Sequence, residues 1–167
     1  MAAEDIAETG QHFELGAEAG ARAGVARLAG LREVLRLAAS FDVTRHGAGG
    51  LRVAGHVSAT VGQTCVVTLD PVSNEVEEDI DLIFLPGAVA PERAGSGLEM
   101  REGPEPLIDG EIDLGAVATE FLVLGLDPYP RRPGAQFEAP PAVDAADAAG
   151  PFAALARLKG ERERDGG

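Results

Sequence analysis

The chain has 167 residues, enough for one domain with a sizeable core, and its 28 acidic against 14 basic residues leave a net charge of −14. Such a field repels nucleic acid at long range, and a single cysteine excludes an internal disulfide and any thiolate cluster for zinc. No apolar run reaches the roughly 18 residues of a membrane helix, and "MAAEDIAETG" has no hydrophobic leader region, so a cytoplasmic protein is expected.

Residues 1–12 read as an acidic lead-in, and "HFEL" (His12 to Leu15) as a short strand. From Glu18 to about Ala39 the spacing predicts a helix. Leu28, Leu31 and Leu35 fall on one helical face, with Arg32 and Arg36 one turn apart beside it. Gly20, Gly24 and Gly30 weaken the start, so the core of this helix is expected at Val25–Ala38.

A β-rich block follows. Phe41 and Val43 share parity, "HGAGG" makes a hairpin turn, and Leu51, Val53, Gly55, Val57, Ala59 and Val61 recur at period 2. Arg52, His56, Ser58 and Thr60 take the opposite, wet side. "TCVVTLDPV" reads as a third strand, broken at Asp70-Pro71. A fourth runs from about Glu75 to Leu85, with Val76, Ile80, Leu82 and Phe84 on its apolar side. Short connections predict an antiparallel meander able to close into a barrel.

Pro86 to Pro106 has loop composition, and Leu107–Gly110 reads as a short strand. Asp113 is a helix N-cap, and the helix runs from Leu114 to about Leu124 with Leu114, Val117, Ala118, Phe121 and Leu124 as its apolar stripe. Gly125 stops it, and "DPYPRRPG" follows as a proline-stiffened arm. The expected organisation is one α+β domain over 1–135, a low-complexity linker over 136–150, a short helix over 151–160 opened by Pro151, and a disordered tail over 161–167.

The candidate chemistry is thin. Cys65 shares parity with Val67 and Leu69 and reads as a small buried hydrophobe. A nucleophilic cysteine needs a base, and the sequence brings none of His12, His46 or His56 to it. The run Glu75, Glu77, Glu78, Asp79, Asp81 reads as a solvated strand whose charge discourages edge-to-edge aggregation. "DGEID" at Asp109–Asp113 lacks the length and terminal glutamate of a calcium loop. The phosphate-loop, dinucleotide, metalloprotease and nucleophile-elbow motifs are missing, so neither enzyme, cofactor nor metal is expected. Tyr129, Pro130, Arg131 and Arg132, fixed among three prolines, suit either an interface or a turn packed on the sheet.

Three stretches together resemble the bacterial YceD family of large ribosomal RNA subunit accumulation proteins. They are "VSATVGQTCVVTLDPVSNEV", "IDGEIDLGAVATEFLVLGLDPYPRRPG" and "PFAALARLK", spanning about residues 50–160. The family pattern falls on Cys65, Leu69, Asp70 and Pro71, then on Asp113, Leu114, Glu120, Leu122, Leu124, Pro128 and Pro130. Many members have Cys-x-x-Cys where this chain has Cys65 and Thr68. A second cysteine cluster of some members, which suggests zinc, is replaced here by "AQFEAPPAVDAADAAG". Cys65 is therefore expected to be the remnant of a motif. The resemblance implies a role in large-subunit biogenesis through 23S rRNA processing or stability.

The charge adds an expectation about mechanism. The partner should be a basic ribosomal protein or assembly factor, attracted by Glu75–Asp81 and held by the Tyr129–Arg132 arm, with rRNA affected indirectly and neither DNA nor membrane engaged. Two alternatives compete. A direct RNA-binding module needs Arg27, Arg32, Arg36, Arg131 and Arg132 on one face, and a small-molecule-binding β-barrel needs an apolar cavity.

Overall fold

Three long strands between Glu33 and Pro86 organise the computed structural model, which describes residues 1–47, 49–88 and 103–137. β1 (Gln11–Gly16), β2 (Glu33–His46), β3 (Gly50–Thr64), β4 (Pro71–Pro86) and β5 (Glu105–Leu107) form one open sheet in the order β1-β2-β3-β4-β5. The first four are antiparallel, and β5 pairs parallel to β4 from Phe84↔Glu105 to Pro86↔Leu107. Among the described residues two α-helices accompany the sheet, α1 (Ala19–Ala29) and α2 (Leu114–Leu124). The fold is thus α+β with a mostly antiparallel sheet. Among the described residues β1 and β5 end the sheet as separate edges, so the meander does not close into a barrel. The chain divides into units 1–135 and 136–167, and these elements all belong to the first. The helix and tail expected after Pro151 lie outside the described residues.

The long helix expected over Glu18–Ala39 is the largest correction. Only its glycine-weakened start is helical. Gly30 ends α1 in the left-handed conformation (φ 66°), and Val34 already belongs to β2. Leu28 is 75% exposed and Leu35 52%, so the helical stripe read from them does not exist. Leu37, Ala39, Phe41 and Val43 alternate at period 2 and are buried. The Leu spacing suits a helix only, and pairing of β2 to β1 on one side and β3 on the other overrides it. A register shift between Val34 and Arg36 places Leu35 at an irregularity in that pairing.

The third expected strand is also corrected. β3 continues to Thr64, Thr64 pairs with Pro71, and Cys65–Asp70 is the turn between them. Leu69 takes positive φ there (63°) and is 74% exposed. The strand expected at Leu107–Gly110 is displaced to Glu105–Leu107, with Ile108 bridging to Glu111.

One sheet face carries the core. Phe41, Val43, Val53, Val57, Ala59 and Val61 have no exposed surface, and Val76, Ile80 and Phe84 adjoin them. Each full burial of such a Val or Phe contributes about 1.5–3 kcal/mol. α2 lies on this face. Asp113 caps it as expected, accepting from the Gly115 and Ala116 N–H groups at 2.9 and 3.0 Å. Its buried side chains are Leu114, Val117, Ala118 and Leu122, with Phe121 partly buried. Leu124, expected in the stripe, is 71% exposed. Ile6 from the N-terminal segment fills the same core, and Arg45 ties that segment down through the Ile6 carbonyl at 2.9 Å.

Candidate functional site

Strand parity sends the polar residues to the face opposite the helices. Register then orders them into rows across the sheet. Glu14, Ser40, His56 and Asp79 make one row, and His12, Asp42, Ala54 and Asp81 the next. Gly16, Ala38, Ser58 and Glu77 lie on the other side of the first row, with Arg36, Thr60 and Glu75 beyond them. Small residues therefore floor the middle of the face, and longer charged ones rim it. An open depression of about 470 Å³ lies there, with Glu14, Gly16, Ala38, Ser40, His56 and Ser58 among its lining.

Seven carboxylates stand on this face (Glu14, Glu33, Asp42, Glu75, Glu77, Asp79, Asp81) against the guanidinium groups of Arg36 and Arg52. Arg52 grips Asp81 with two parallel bonds, Nε to Oδ1 at 2.8 Å and Nη2 to Oδ2 at 2.7 Å. Those bonds hold the Asp81 carboxyl below its usual range. His12 and His56 each sit between two acids. His12 Nδ1 donates to Asp42 at 2.8 Å, with Glu14 at 3.7 Å from Nε2. His56 Nδ1 donates to Asp79 at 2.9 Å, with Glu77 at 3.8 Å from Nε2. The bond to Asp42 raises the His12 pKa first, and the charges of Asp42 and Glu14 add to it. Thr60 donates to Glu75 at 2.9 Å.

Of the acidic run singled out in the sequence, Glu75, Glu77, Asp79 and Asp81 come together here. Glu78 does not. It shares parity with Val76 and Ile80, and its carboxylate lies beside Gly125 at the end of α2. The acidic run alone misses His12, Glu14 and Asp42, which β1 and β2 bring to the same surface. Both segments read as strands in the sequence, and it is their pairing across about 30 positions that only the fold shows.

The second candidate feature is the arm after α2. Val66 N–H donates to the Pro130 carbonyl at 2.9 Å, and Arg132 reaches Asp70 at 3.2 Å. Gln63, 9% exposed, donates to the Asp127 carbonyl at 2.9 Å and accepts from Asn74 at 2.6 Å. Pro130 is buried, whereas Tyr129 is 71% exposed and Arg131 faces solvent. The arm is thus a turn packed on the sheet end through Pro130 and Arg132, with Tyr129 and Arg131 exposed. Glu120 is exposed on α2.

Cys65 has no exposed surface, yet it lies outside the apolar cluster. Its cover is thin, made by its own turn and the arm. The thiol accepts backbone N–H bonds from Thr68 and Arg132, each at 3.4 Å. Hydrogen bonding by the Thr68 side chain, then by the Arg132 and Thr68 amides, draws its pKa down to about 6. His12 and His56 are engaged with carboxylates on the open face, and His46 is exposed near the β2–β3 hairpin. A zinc site of the kind the cysteine motifs imply does not fit, because Thr68 offers an amide to the sulfur and the described residues gather no set of metal ligands.

The arginines divide. Arg27 lies on α1. Arg32 N–H bonds the Gly62 carbonyl and Arg36 pairs with Thr60, which places both toward the sheet end that carries the Cys65 turn and the arm. Arg32, Arg36, Arg131 and Arg132 are mixed there with Glu33, Asp70, Glu75 and Asp127.

Fold and site define a class, a sheet protein with one face packed under helices and the other left as a charged platform by the described residues. More particularly, a family model for large ribosomal RNA subunit accumulation protein YceD matches residues 53–159, more than half of the chain, and the chain belongs to that family. The family name connects it with large-subunit rRNA accumulation. Neither a curated protein nor a solved structure matches it. No helix among the described residues is long and apolar enough to cross a membrane.

Proposed function

We propose that this protein is a non-enzymatic factor of large ribosomal subunit biogenesis that holds a basic ribosomal protein or assembly factor against its open sheet face, and supports 23S rRNA accumulation indirectly. The observation that carries the reading is the convergence of seven carboxylates from three strands on one face that the described residues leave uncovered, against two arginines. A surface of that sign steers cationic partners toward it and slows the approach of a polyanion. Tyr129 and Arg131 supply a second, pre-ordered contact, since Gln63, Asp70 and Cys65 already fix the arm.

The test uses immobilised protein with two separated fractions, large-subunit proteins stripped of rRNA and naked 23S rRNA. The expected result is retention of basic proteins at low salt, their release at high salt, and little retention of naked rRNA. Glu75→Gln, Glu77→Gln and Asp79→Asn combined should weaken retention. Retention of naked rRNA with no retained protein overturns the reading. That outcome belongs to a second reading, direct RNA binding, which is favoured by the four arginines at the arm end of the sheet.

A further inference from the structure

We propose that the partner adds a strand to the outer edge of β1, extending the sheet, and that this strand alternates cationic with apolar residues. The inference rests on the reading that the partner is basic, and it names how that partner is gripped.

β1 pairs with β2 on one side, and among the described residues its other side has no strand. Five of its six residues are exposed. The bond from Ala17 N–H to the Leu37 carbonyl fixes which backbone groups face inward. In an antiparallel ladder such pairs alternate, so Gln11, Phe13 and Leu15 bond to β2. His12, Glu14 and Gly16 therefore turn their N–H and C=O groups outward. Strands that must stay unpaired carry lysine, proline or a bulge on the edge. β1 carries none of these, and its pairing with β2 is continuous. Its only full charge is Glu14.

The two faces of β1 specify the incoming strand. Side chains landing beside His12, Glu14 and Gly16 join the anionic face next to Asp42, where Lys or Arg fits. Those landing on the other side meet Phe13 and Leu15, half-buried and 37% exposed respectively. A second copy is the wrong occupant. Pairing two β1 edges joins two anionic faces of chains that each carry −14.

The test is fluorescence anisotropy with an eight-residue peptide of alternating Val and Arg, and with the same peptide N-methylated at every second residue in both phases. Glu14→Pro removes an outward N–H without touching the bonds to β2, and Glu14→Gln removes the charge alone. Losing one to two backbone bonds should weaken binding about tenfold for Glu14→Pro and for one N-methylated phase, against about threefold for Glu14→Gln. Backbone amide shifts should concentrate at His12, Glu14 and Gly16.

The inference is overturned if both N-methylated peptides bind like the parent, if Glu14→Pro binds like Glu14→Gln, or if wild-type protein fails to bind the parent peptide. It is overturned equally by a dimer that Glu14→Pro dissociates. The peptide arm needs no substitution, so a Glu14→Pro that misfolds leaves the test intact. Retention of stripped ribosomal proteins by wild type and Glu14→Pro alike removes the added strand while the anionic-face reading stands. Retention of none by wild type removes that reading itself.

Discussion

Gln63→Leu should loosen the arm more than it loosens the sheet. The Gln63 amide is buried at the end of β3, donating to the Asp127 carbonyl and accepting from Asn74. Leucine matches its size and makes neither bond. The loss of two net hydrogen bonds, with a carbonyl and a carboxamide left poorly solvated, costs about 2–4 kcal/mol. Extra apolar burial offsets about 1 kcal/mol of that. The net effect is a destabilisation of about 2 kcal/mol. With a urea dependence of about 2 kcal/mol per molar, the unfolding midpoint should fall by about 1 M.

The local consequence is the sharper one. Native-state hydrogen exchange should speed up most at Val66 and Arg132, whose N–H groups bond the Pro130 carbonyl and the Cys65 sulfur. Amides of the central β2–β3 ladder should change only with global stability. A midpoint within about 0.2 M of wild type, or a Val66 amide that slows and quickens only with β3, refutes the claim that Gln63 ties the arm down.

Four further outcomes are expected. Gly55→Ala places a methyl against the Ser40 carbonyl and 2.7 Å from Phe41 Cδ1, so it should destabilise by at least about 2 kcal/mol in urea melts. Asp113→Ala removes the acceptor for two first-turn amides of α2 and should cost about 1 kcal/mol, with faster exchange at Gly115 and Ala116. The Cys65 thiol has a folded pKa below its ordinary value, so its ionisation stabilises the fold fully above about pH 9 and loses that effect as pH falls toward 6. The stability gap between wild type and Cys65→Ala should accordingly widen from pH 6 to 9, and a constant gap in urea midpoints contradicts the assignment. His12 has the opposite sign. Its raised pKa stabilises below about pH 6.5 and fades as pH climbs through the folded value, and Asp42→Asn should lower its NMR titration midpoint.

What was readable from residue order were the features set by local chemistry. The alternation from Leu51 to Val61 and from Val76 to Phe84 fixed two strands and their buried sides, because period 2 has one structural meaning over such lengths. Asp113 and Gly125 bounded α2 because capping is a matter of a few adjacent atoms. The motif around Cys65, Asp70-Pro71 and the proline arm was enough to indicate the family that the match over 53–159 establishes.

Tertiary structure alone decided the rest. Leu28, Leu31 and Leu35 suited a helix, but Leu35 lies in a strand, because backbone pairing on both sides of β2 outweighs a propensity difference of a few tenths of a kcal/mol per residue. Glu78 left its acidic neighbours because a strand sends adjacent side chains to opposite faces. His12, Glu14 and Asp42 joined the others through pairings between residues about 30 positions apart. Cys65 and Arg132, separated by 67 residues, met in a hydrogen bond. Spacing along the chain specifies what each segment presents, while long-range register specifies what stands beside it, and the candidate surface is made of the latter.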